Sequence, residues 1–322
     1  MTGSPLSRSS LFQLLSFGRP RELTLPLSAY GKLPIYKDFL RHGLAGPEAQ
    51  AFKKWLDRGI SKLWPAREEY RDQEIGSFAL LLNFPGTGQQ ILAYLWGSHD
   101  HGALRRFPFV LFVSLPGGRS LAPLEHLDAL AQLVAQCRAL RKELVNLDGV
   151  EAFYPMIRTR TLRLTLHGDR KIREQYLGGE EPRLGELGRS IFGDQAEERW
   201  PTLLRSLKHP AKGDRSPFAG RLPSSRLVAQ ERLAALWCLL LSRRRKGPLQ
   251  VLWTTEGEGH ITILHRALEA EDIFAFHPEM PDYPAIRDLQ NPVLEGVTQQ
   301  SLDEAQLEMP LAAVLEKNFR LT

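Results

Sequence analysis

The sequence predicts an α/β protein, specifically a three-layer α/β/α sandwich with a central mixed sheet. Two observations lead to this fold class. Apolar residues recur at three- and four-residue intervals over 52–63, as in a helix that packs on a flat apolar surface. Residues 107–115 read Phe-Pro-Phe-Val-Leu-Phe-Val-Ser-Leu, an almost unbroken apolar run typical of a strand covered on both faces. Helices on both sides of a sheet would provide that cover.

Spacing and turn residues predict the remaining elements. Helices with apolar residues at helical spacing are predicted at 47–63, 123–145 and 225–243, with a short helix at 271–276. Strands bounded by glycine, proline or charged turns are predicted at 76–84, 90–96, 107–115, 249–254 and 260–264. The turn Pro85-Gly86-Thr87-Gly88 and the turn over 256–259 each join two of these strands, so we expect two hairpins.

The chain is expected to form one domain with a loose segment at each end. Residues 1–26 are rich in Ser, Arg and Pro and are predicted to be a flexible extension. A single α/β domain is predicted over 27–280. Within it, 147–222 has no clear period and is expected to be an insert of short helices and irregular chain. Residues 281–322 are expected to form a C-terminal tail on the surface.

The composition excludes several classes of protein. The 322 residues are 43% hydrophobic and 25% charged, which is typical of a globular chain with a sizeable core. The longest apolar run, 233–241, is too short to cross a bilayer, which needs roughly 20 residues, so we expect a buried helix and no integral membrane protein. The two cysteines, Cys137 and Cys238, lie in Leu- and Ala-rich stretches and are expected to be buried free thiols. This predicts a reducing, cytoplasmic location.

The excess of basic over acidic residues does not indicate nucleic-acid binding. The formal charge is +5 and the pI is near 9.2. The densest basic run, 243–246, follows a predicted helix, where cations complement the helix dipole. No aromatic residues are interleaved with it for stacking on bases. We therefore expect no nucleic-acid partner.

No catalytic or cofactor motif stands out. Gly31-Lys32 lacks the first glycine and the Ser or Thr of a phosphate loop, and 86–88 lacks the third glycine of a dinucleotide fingerprint. There is no G-x-S-x-G elbow. The cluster His99-Asp100-His101 is the most ligand-like, and it fits either a metal site or a polar loop before a buried strand. A non-enzymatic protein without cofactor or metal is predicted, and a hydrolase or metal-dependent enzyme using this cluster stays the alternative.

Two motifs resemble the TagF family of type VI secretion-associated proteins. Residues 30–41 read Tyr-Gly-Lys-Leu-Pro-Ile-Tyr-Lys-Asp-Phe-Leu-Arg and resemble the family's opening motif, roughly Y-G-K-L-P-x-x-G-D-F, with Lys37 in place of glycine. Residues 97–109 are similar to the family's P-S-x-D-x-x-G-R-x-F-P-L segment, with one inserted residue and Leu104 in place of glycine. A tryptophan-containing helix at 52–56 and the segment 252–257, similar to S-L-W-W-T-E-G, give further matches.

The resemblance implies a function. Members of the family are cytoplasmic post-translational repressors of the secretion machine that act by binding its forkhead-associated scaffold protein, and the covered sheet expected here is consistent with such a binding protein. A trafficking-type adaptor with the same fold is a further alternative. The residues that carry the family motifs, and are candidates for interaction, are Gly31, Lys32, Pro34, Asp38, Phe39, Trp55, Ser98, Asp100, Arg105, Phe107 and Pro108.

Each group of motif residues has an expected role. Glycine and proline at 31 and 34 are expected to shape the backbone, and the aromatic residues at 39, 55, 107 and 109 are expected to lie in the core. The polar residues Asp38, Ser98, Asp100 and Arg105 either form an internal ion-pair and hydrogen-bond network or share a binding surface. Within such a network, a buried pair between Asp38 and Arg105 is one expectation.

Overall fold

A nine-stranded sheet with helices on both faces forms the centre of the molecule, in a computed structural model that describes most of the chain. The described residues are 20–66, 75–87, 89–103, 105–115, 123–167, 183–208, 218–225, 228–242, 248–256, 259–277 and 286–289. Within them, the α-helices are α1 Pro47–Ala66, α2 Pro123–Leu144, α3 Val150–Thr159, α4 Leu184–Phe192, α5 Ala196–Lys208 and α6 Gln230–Ser242. Two 3-10 helices cover Gly193–Gln195 and Ala270–Phe276.

The strands comprise one large sheet and a separate two-stranded ribbon. They are β1 Arg21–Pro26, β2 Ser28–Gly31, β3 Leu40–His42, β4 Phe78–Asn83, β5 Gln90–Trp96, β6 Phe109–Leu115, β7 Thr161–Leu166, β8 Ala219–Pro223, β9 Gln250–Thr254, β10 His260–Leu264 and β11 Arg287–Asp288. The two predicted hairpins are confirmed as β4 with β5 and β9 with β10. The predicted helices at 47–63, 123–145 and 225–243 are confirmed as α1, α2 and α6.

The strand order in the large sheet is β11-β8-β10-β9-β4-β5-β6-β2-β3. Every neighbouring pair is antiparallel except β11 with β8, a parallel pair of two residues at one edge. The α/β class is confirmed, but the prediction of a mixed central sheet is wrong, since the sheet is antiparallel throughout its centre. Short turns force the two hairpins to be antiparallel, because parallel neighbours need a long crossover. The direction of the other pairs, such as β4 with β9, is set by contacts between distant parts of the chain.

Side chains of the central strands alternate between two apolar layers. Leu80 of β4 and Ala93 of β5 pack with α1 and the 3-10 helix at 270–276. Their chain neighbours Leu81 and Leu92 pack on the opposite face with α2 and α6. Because successive strand residues point to opposite faces, a strand covered on both sides needs apolar residues at almost every position. This explains the unbroken apolar runs of β4, β5 and β6.

The start of the described chain differs from the expectation of a flexible extension over 1–26. Arg21–Pro26 form β1, which pairs antiparallel with β7 along its whole length. Leu25 of β1 and Leu164 of β7 are buried in the same apolar cluster as α2. The flexible extension is therefore wrong for residues 21–26, because alternating leucines give this segment a buried face. Residues 1–19 lie outside the described part of the chain.

The predicted insert over 147–222 and the predicted surface tail over 281–322 both contribute to the core where they are described. Trp200 of α5 packs against Trp237 of α6, with 6.0 Å between ring centroids. Ile286 and Leu289 are 3% exposed, and the Leu289 amide donates to the Arg221 carbonyl over 2.9 Å. The tail thus adds β11 to the sheet at 287–288 and does not drape over the surface there. Residues 168–182, 209–217 and 290–322 lie outside the described part.

The apolar run at 233–241 forms a buried helix, as predicted. It makes up most of α6, where Leu233 and Trp237 are fully buried and the Trp237 indole donates to the Pro223 carbonyl. No helix in the described part of the chain combines the length and apolar character needed to cross a membrane.

Candidate functional site

The motif segments of the sequence converge at one end of the sheet. Trp96 at the end of β5 lies opposite Phe109 at the start of β6, and Phe78 at the start of β4 lies opposite Thr254 at the end of β9. Since these neighbours are antiparallel, the chain leaves or enters all of them at the same end. We call this region the motif end; it comprises residues 31–39, 75–77, 97–103, 105–108 and 255–256.

Glycines let the backbone segments of the motif end approach closely. Gly31 has φ +131°, and a Cβ built on it would lie 2.2 Å from the Pro108 carbonyl oxygen. A Cβ on Gly97 would lie 2.2 Å from the carbonyl oxygen of Ile75, which accepts a hydrogen bond from the Gly97 amide over 3.0 Å. Neither position has room for a side chain, so the two glycines set the spacing between the loops.

A buried ion pair joins the two motifs. Lys32 Nζ lies 2.9 Å from Asp100 Oδ2, and each side chain is 2% exposed. The second carboxylate oxygen of Asp100 accepts from the Arg105 amide over 2.9 Å, and Arg105 Nε donates to Oδ2 over 2.9 Å. Burial alone would raise the pKa of the Asp100 carboxyl, but the hydrogen bonds from Lys32 and Arg105 hold it well below its usual range. Asp100 is therefore a fixed anion around which the two loops fold.

Arg105 connects this pair to the surface. Its side chain is 62% exposed, and its terminal NH2 group donates to the Lys37 carbonyl over 2.7 Å. The backbones of Asp100 and Arg105 are also hydrogen-bonded to each other, since the Asp100 amide donates to the Arg105 carbonyl over 3.1 Å. One guanidinium thus holds the first motif loop against the turn of the second.

The expected pair between Asp38 and Arg105 is wrong. Asp38 is exposed, and its Oδ1 accepts from the Phe39 amide over 2.8 Å. The carboxylate that Arg105 contacts belongs to Asp100, five residues earlier in the same turn. The buried cation of the network is Lys32, which the sequence reasoning placed in the motif without giving it a role. An ammonium group in the apolar stretch 29–33 was the available signal, because a buried lysine needs a carboxylate partner.

The aromatic motif residues form a stacked group beside the ion pair. The ring of Phe39 stacks on Tyr30 at 5.5 Å and meets Phe107 edge-on at 4.8 Å. Phe107 is buried, whereas Phe39 is half-buried. The Tyr30 hydroxyl donates to Asp57 Oδ1 over 2.5 Å; burial and this carboxylate both raise the pKa of Tyr30.

Trp55 lies in the core and contacts other core residues. It is 6% exposed, stacks on Phe52 at 6.0 Å and contacts Phe276 edge-on at 6.0 Å. Its indole nitrogen donates to the Glu269 carbonyl over 2.7 Å. Trp55 therefore fixes the 3-10 helix at 270–276 onto α1 and offers little surface to a partner.

The remaining motif residues act through their backbones. The Ser98 carbonyl accepts from the Phe107 amide over 3.0 Å, and Pro108 presents its carbonyl to the space beside Gly31. The Pro34 carbonyl is joined to Nδ1 of His101 over 3.0 Å. These contacts close the turn of the second motif onto the loop of the first.

The three side chains of the cluster at 99–101 point to separate partners. His99 Nδ1 lies 2.9 Å from the Asp100 carbonyl oxygen, and His101 Nδ1 contacts the Pro34 carbonyl. The Asp100 carboxylate is used by Lys32 and Arg105. Among the described residues, no group of three or more His, Cys, Asp or Glu side chains is arranged to hold a metal ion. His99, Asp100 and His101 therefore make separate contacts within the turn and with the loop of the first motif.

A second polar network at the motif end was missed by the sequence reasoning. Arg141 of α2 contacts the hydroxyls of Ser77 (2.9 Å) and Tyr94 (3.1 Å) and Oε1 of Glu256 (3.0 Å). The Ser77 hydroxyl also donates to Glu256 Oε2 over 3.1 Å. We call these four residues the Arg141 clasp. The available signal was Glu256 itself, which lies in the segment 252–257 that resembles the family.

Comparison with known proteins agrees with the motif assignment. Residues 28–158 match the profile of the TagF N-terminal domain, described as type VI secretion system-associated. Among solved structures, the crystal structure of PA0076 from Pseudomonas aeruginosa PAO1 aligns with 84% of this chain and 100% of its own at 14% identity and a TM-score of 0.37, which is too low to establish a shared fold. A search of curated proteins found no match. Residues 28–158 therefore belong to the TagF N-terminal domain family, the family that the motifs at 30–41 and 97–109 predicted.

Proposed function

We propose that this protein is a non-enzymatic accessory protein of the type VI secretion system that represses it post-translationally, in the cytoplasm, by binding the forkhead-associated scaffold protein. The observation that carries the proposal is the TagF N-terminal domain over residues 28–158, a domain associated with this secretion system. The same residues build most of the motif end. A binding role therefore rests on the part of the chain with the clearest relationship to the system.

The geometry of the motif end supports binding more than chemistry. The Asp100 carboxylate and the Lys32 ammonium are both 2% exposed and neutralise one another. His99 and His101 are hydrogen-bonded to backbone carbonyls. A general acid, base or nucleophile must reach a substrate atom. Here the side chains of Lys32, Asp100 and the two histidines are hydrogen-bonded within the protein, where they hold two loops together. The alternatives of a hydrolase at 99–101 and of a trafficking adaptor gain no specific support.

The three-layer α/β/α description belongs to the same proposal. It is supported by α1 and α2, which pack on opposite faces of strands β4 and β5. This architecture gives the motif end a rigid base, because the loops leave strands that are fixed from both sides.

A binding experiment tests the proposal. The purified protein is passed over the immobilised forkhead-associated scaffold of the same genome, with a scaffold-free surface as control. Stable, saturable co-elution is expected. Absence of binding between two folded proteins would contradict the proposal, and a stoichiometric metal in the purified protein would redirect attention to the enzyme alternative.

Secretion measurements separate repression from assembly. Loss of this protein in the parent bacterium is expected to raise secretion through the system, and overproduction is expected to lower it. The opposite pair of results would indicate an assembly factor.

A further inference from the structure

Three exposed cations lie on the two motif loops that hold the half-buried ring of Phe39. Lys37 and Arg41 are exposed, and the Arg41 guanidinium lies 5.9 Å from the centre of the Phe39 ring. Arg105 is tied to the Lys37 carbonyl and has a side chain that is 62% exposed. We call Lys37, Phe39, Arg41 and Arg105 the cationic surface.

Two carboxylates near this surface are paired with other cations, and a third, the exposed Asp38, accepts from the Phe39 amide over 2.8 Å. Asp100 binds Lys32 over 2.9 Å, and Asp57 binds Lys53 over 2.6 Å. In the described part of the chain, Lys37 and Arg41 have no ion pair. Their charges are therefore turned toward solvent, where unpaired like charges attract an oppositely charged partner and speed its approach.

The cationic surface is also preorganised. The Phe39 ring is held between Tyr30 at 5.5 Å and Phe107 at 4.8 Å. The loop that carries Lys37 is fixed by Arg105 and by the His101 amide, which donates to the Tyr36 carbonyl over 3.0 Å. A partner would meet a surface that needs little ordering, which lowers the entropic cost of binding.

We propose that the cationic surface is the docking site for an acidic protein surface that presents an apolar side chain to Phe39. This inference rests on the proposed function, and it names the chemistry of the partner's contact region. A half-buried aromatic ring with an arginine beside it and further cations on the same loops matches the anatomy of protein interfaces, in which aromatic and Arg residues provide much of the affinity.

The details of the surface favour a protein over a nucleic acid. The Phe39 ring is already stacked on Tyr30 and is contacted by the Lys32 ammonium at 4.9 Å, so it is not open for stacking on a base. An apolar side chain of a protein needs only the part of the half-buried Phe39 ring that stays exposed, so the closed ring faces do not prevent that contact.

Charge reversal tests this docking site. The affinity for the forkhead-associated scaffold is measured at about 0.05 and 0.3 M salt for the wild type and for the double variant Lys37→Glu/Arg41→Glu. The double variant is expected to bind at least about tenfold more weakly at low salt and to lose most of the salt dependence. The matched control Arg21→Glu/Arg163→Glu changes the net charge equally on the β1–β7 ribbon, where both residues are exposed. Its affinity is expected to stay within about twofold of the wild type.

The outcomes separate this inference from the proposed function. If the wild type fails to bind the scaffold, both are overturned. Wild-type binding that the double variant retains overturns the docking site alone, provided that circular dichroism shows both variants to be folded. Equal weakening by the ribbon control would indicate a general charge effect and would also overturn it. Binding of a duplex DNA probe that depends on Lys37 and Arg41 would replace the acidic protein with a nucleic acid.

Discussion

Removing the charge of Asp100 should destabilise the protein strongly. The variant Asp100→Asn keeps the size of the side chain and an oxygen that can accept from the Arg105 amide. It leaves the Lys32 ammonium, which is 2% exposed, without a counter-charge. Removing one partner of a buried ion pair typically costs about 3–5 kcal/mol, because the other charge stays buried and unpaired. The Arg105 side chain is mostly solvated, so its share of the loss should be below about 1 kcal/mol.

Thermal and urea unfolding measure this effect. At about 2–4 °C per kcal/mol for a chain of this kind, the Tm should fall by about 6–20 °C. The double variant Lys32→Met/Asp100→Asn should recover at least about 2 kcal/mol, since it removes both buried charges and replaces the lysine by an apolar side chain of similar length. Asp38→Asn is the matched control. Its carboxylate is exposed and contacts only a backbone amide among the described groups, so the change should be below about 0.5 kcal/mol.

The pH dependence gives an independent check with a defined sign. The pKa of Asp100 is lowered in the folded protein, so its contribution to stability is complete above the unfolded pKa of about 4 and is lost as the pH falls below it. The stability difference between wild type and Asp100→Asn should therefore be largest near pH 7 and should shrink in acid. A Tm of Asp100→Asn within about 2 °C of the wild type at pH 7 would refute a buried pair with Lys32.

Three further changes test other parts of the structure. Gly31→Ala should destabilise the protein well beyond the roughly 1–2 kcal/mol of a left-handed alanine, because its Cβ would meet backbone. Gly86 also has a positive φ, +84°, but open space around it, so a larger loss of stability for Gly86→Ala than for Gly31→Ala would contradict the packing. Glu256→Gln should cost less than about 1 kcal/mol in urea unfolding, since this side chain is 54% exposed, and a loss above about 2 kcal/mol would argue against a solvated Arg141 clasp. Burial raises the pKa of both thiols, so Cys137 and Cys238 should resist a thiol reagent in the native protein and react once it is unfolded; rapid native labelling would place a thiol at the surface.

The central strands and the long helices could be predicted because their signals are local. The run at 109–115 is apolar at nearly every position, and proline and glycine mark the turn between β4 and β5. The mixed sheet was wrong because strand direction depends on which strands become neighbours, and those contacts join distant parts of the chain. Strand β11 could not be predicted, because two residues at 287–288 are too few to show the alternating apolar pattern of a strand. They join the sheet by pairing with the backbone of β8.

In the candidate site, too, contacts within one motif could be predicted, whereas contacts between distant parts of the chain could not. Asp100 and Arg105 lie in one motif, five residues apart, and the sequence suggested both as members of a polar network. Lys32 is 68 positions from Asp100 in the chain, so only the fold brings the two charges together. The Arg141 clasp is less predictable still, because it collects side chains from α2, from strand β5, from the residue before β4 and from the segment after β9. Local sequence patterns identify candidate polar residues, whereas the fold determines which of them contact one another.

Lys37 shows how a departure from the family motif fits this structure. The related motif has glycine at this position, which would matter if the turn needed a positive φ. Among the described non-glycine residues only Ala103 has a positive φ, so Lys37 occupies ordinary backbone and its side chain carries no conformational penalty. The contact that the network uses is the Lys37 carbonyl, which any residue provides. The side chain is therefore free to vary without disturbing the Asp100 pair, and here it adds an exposed cation two residues before Phe39.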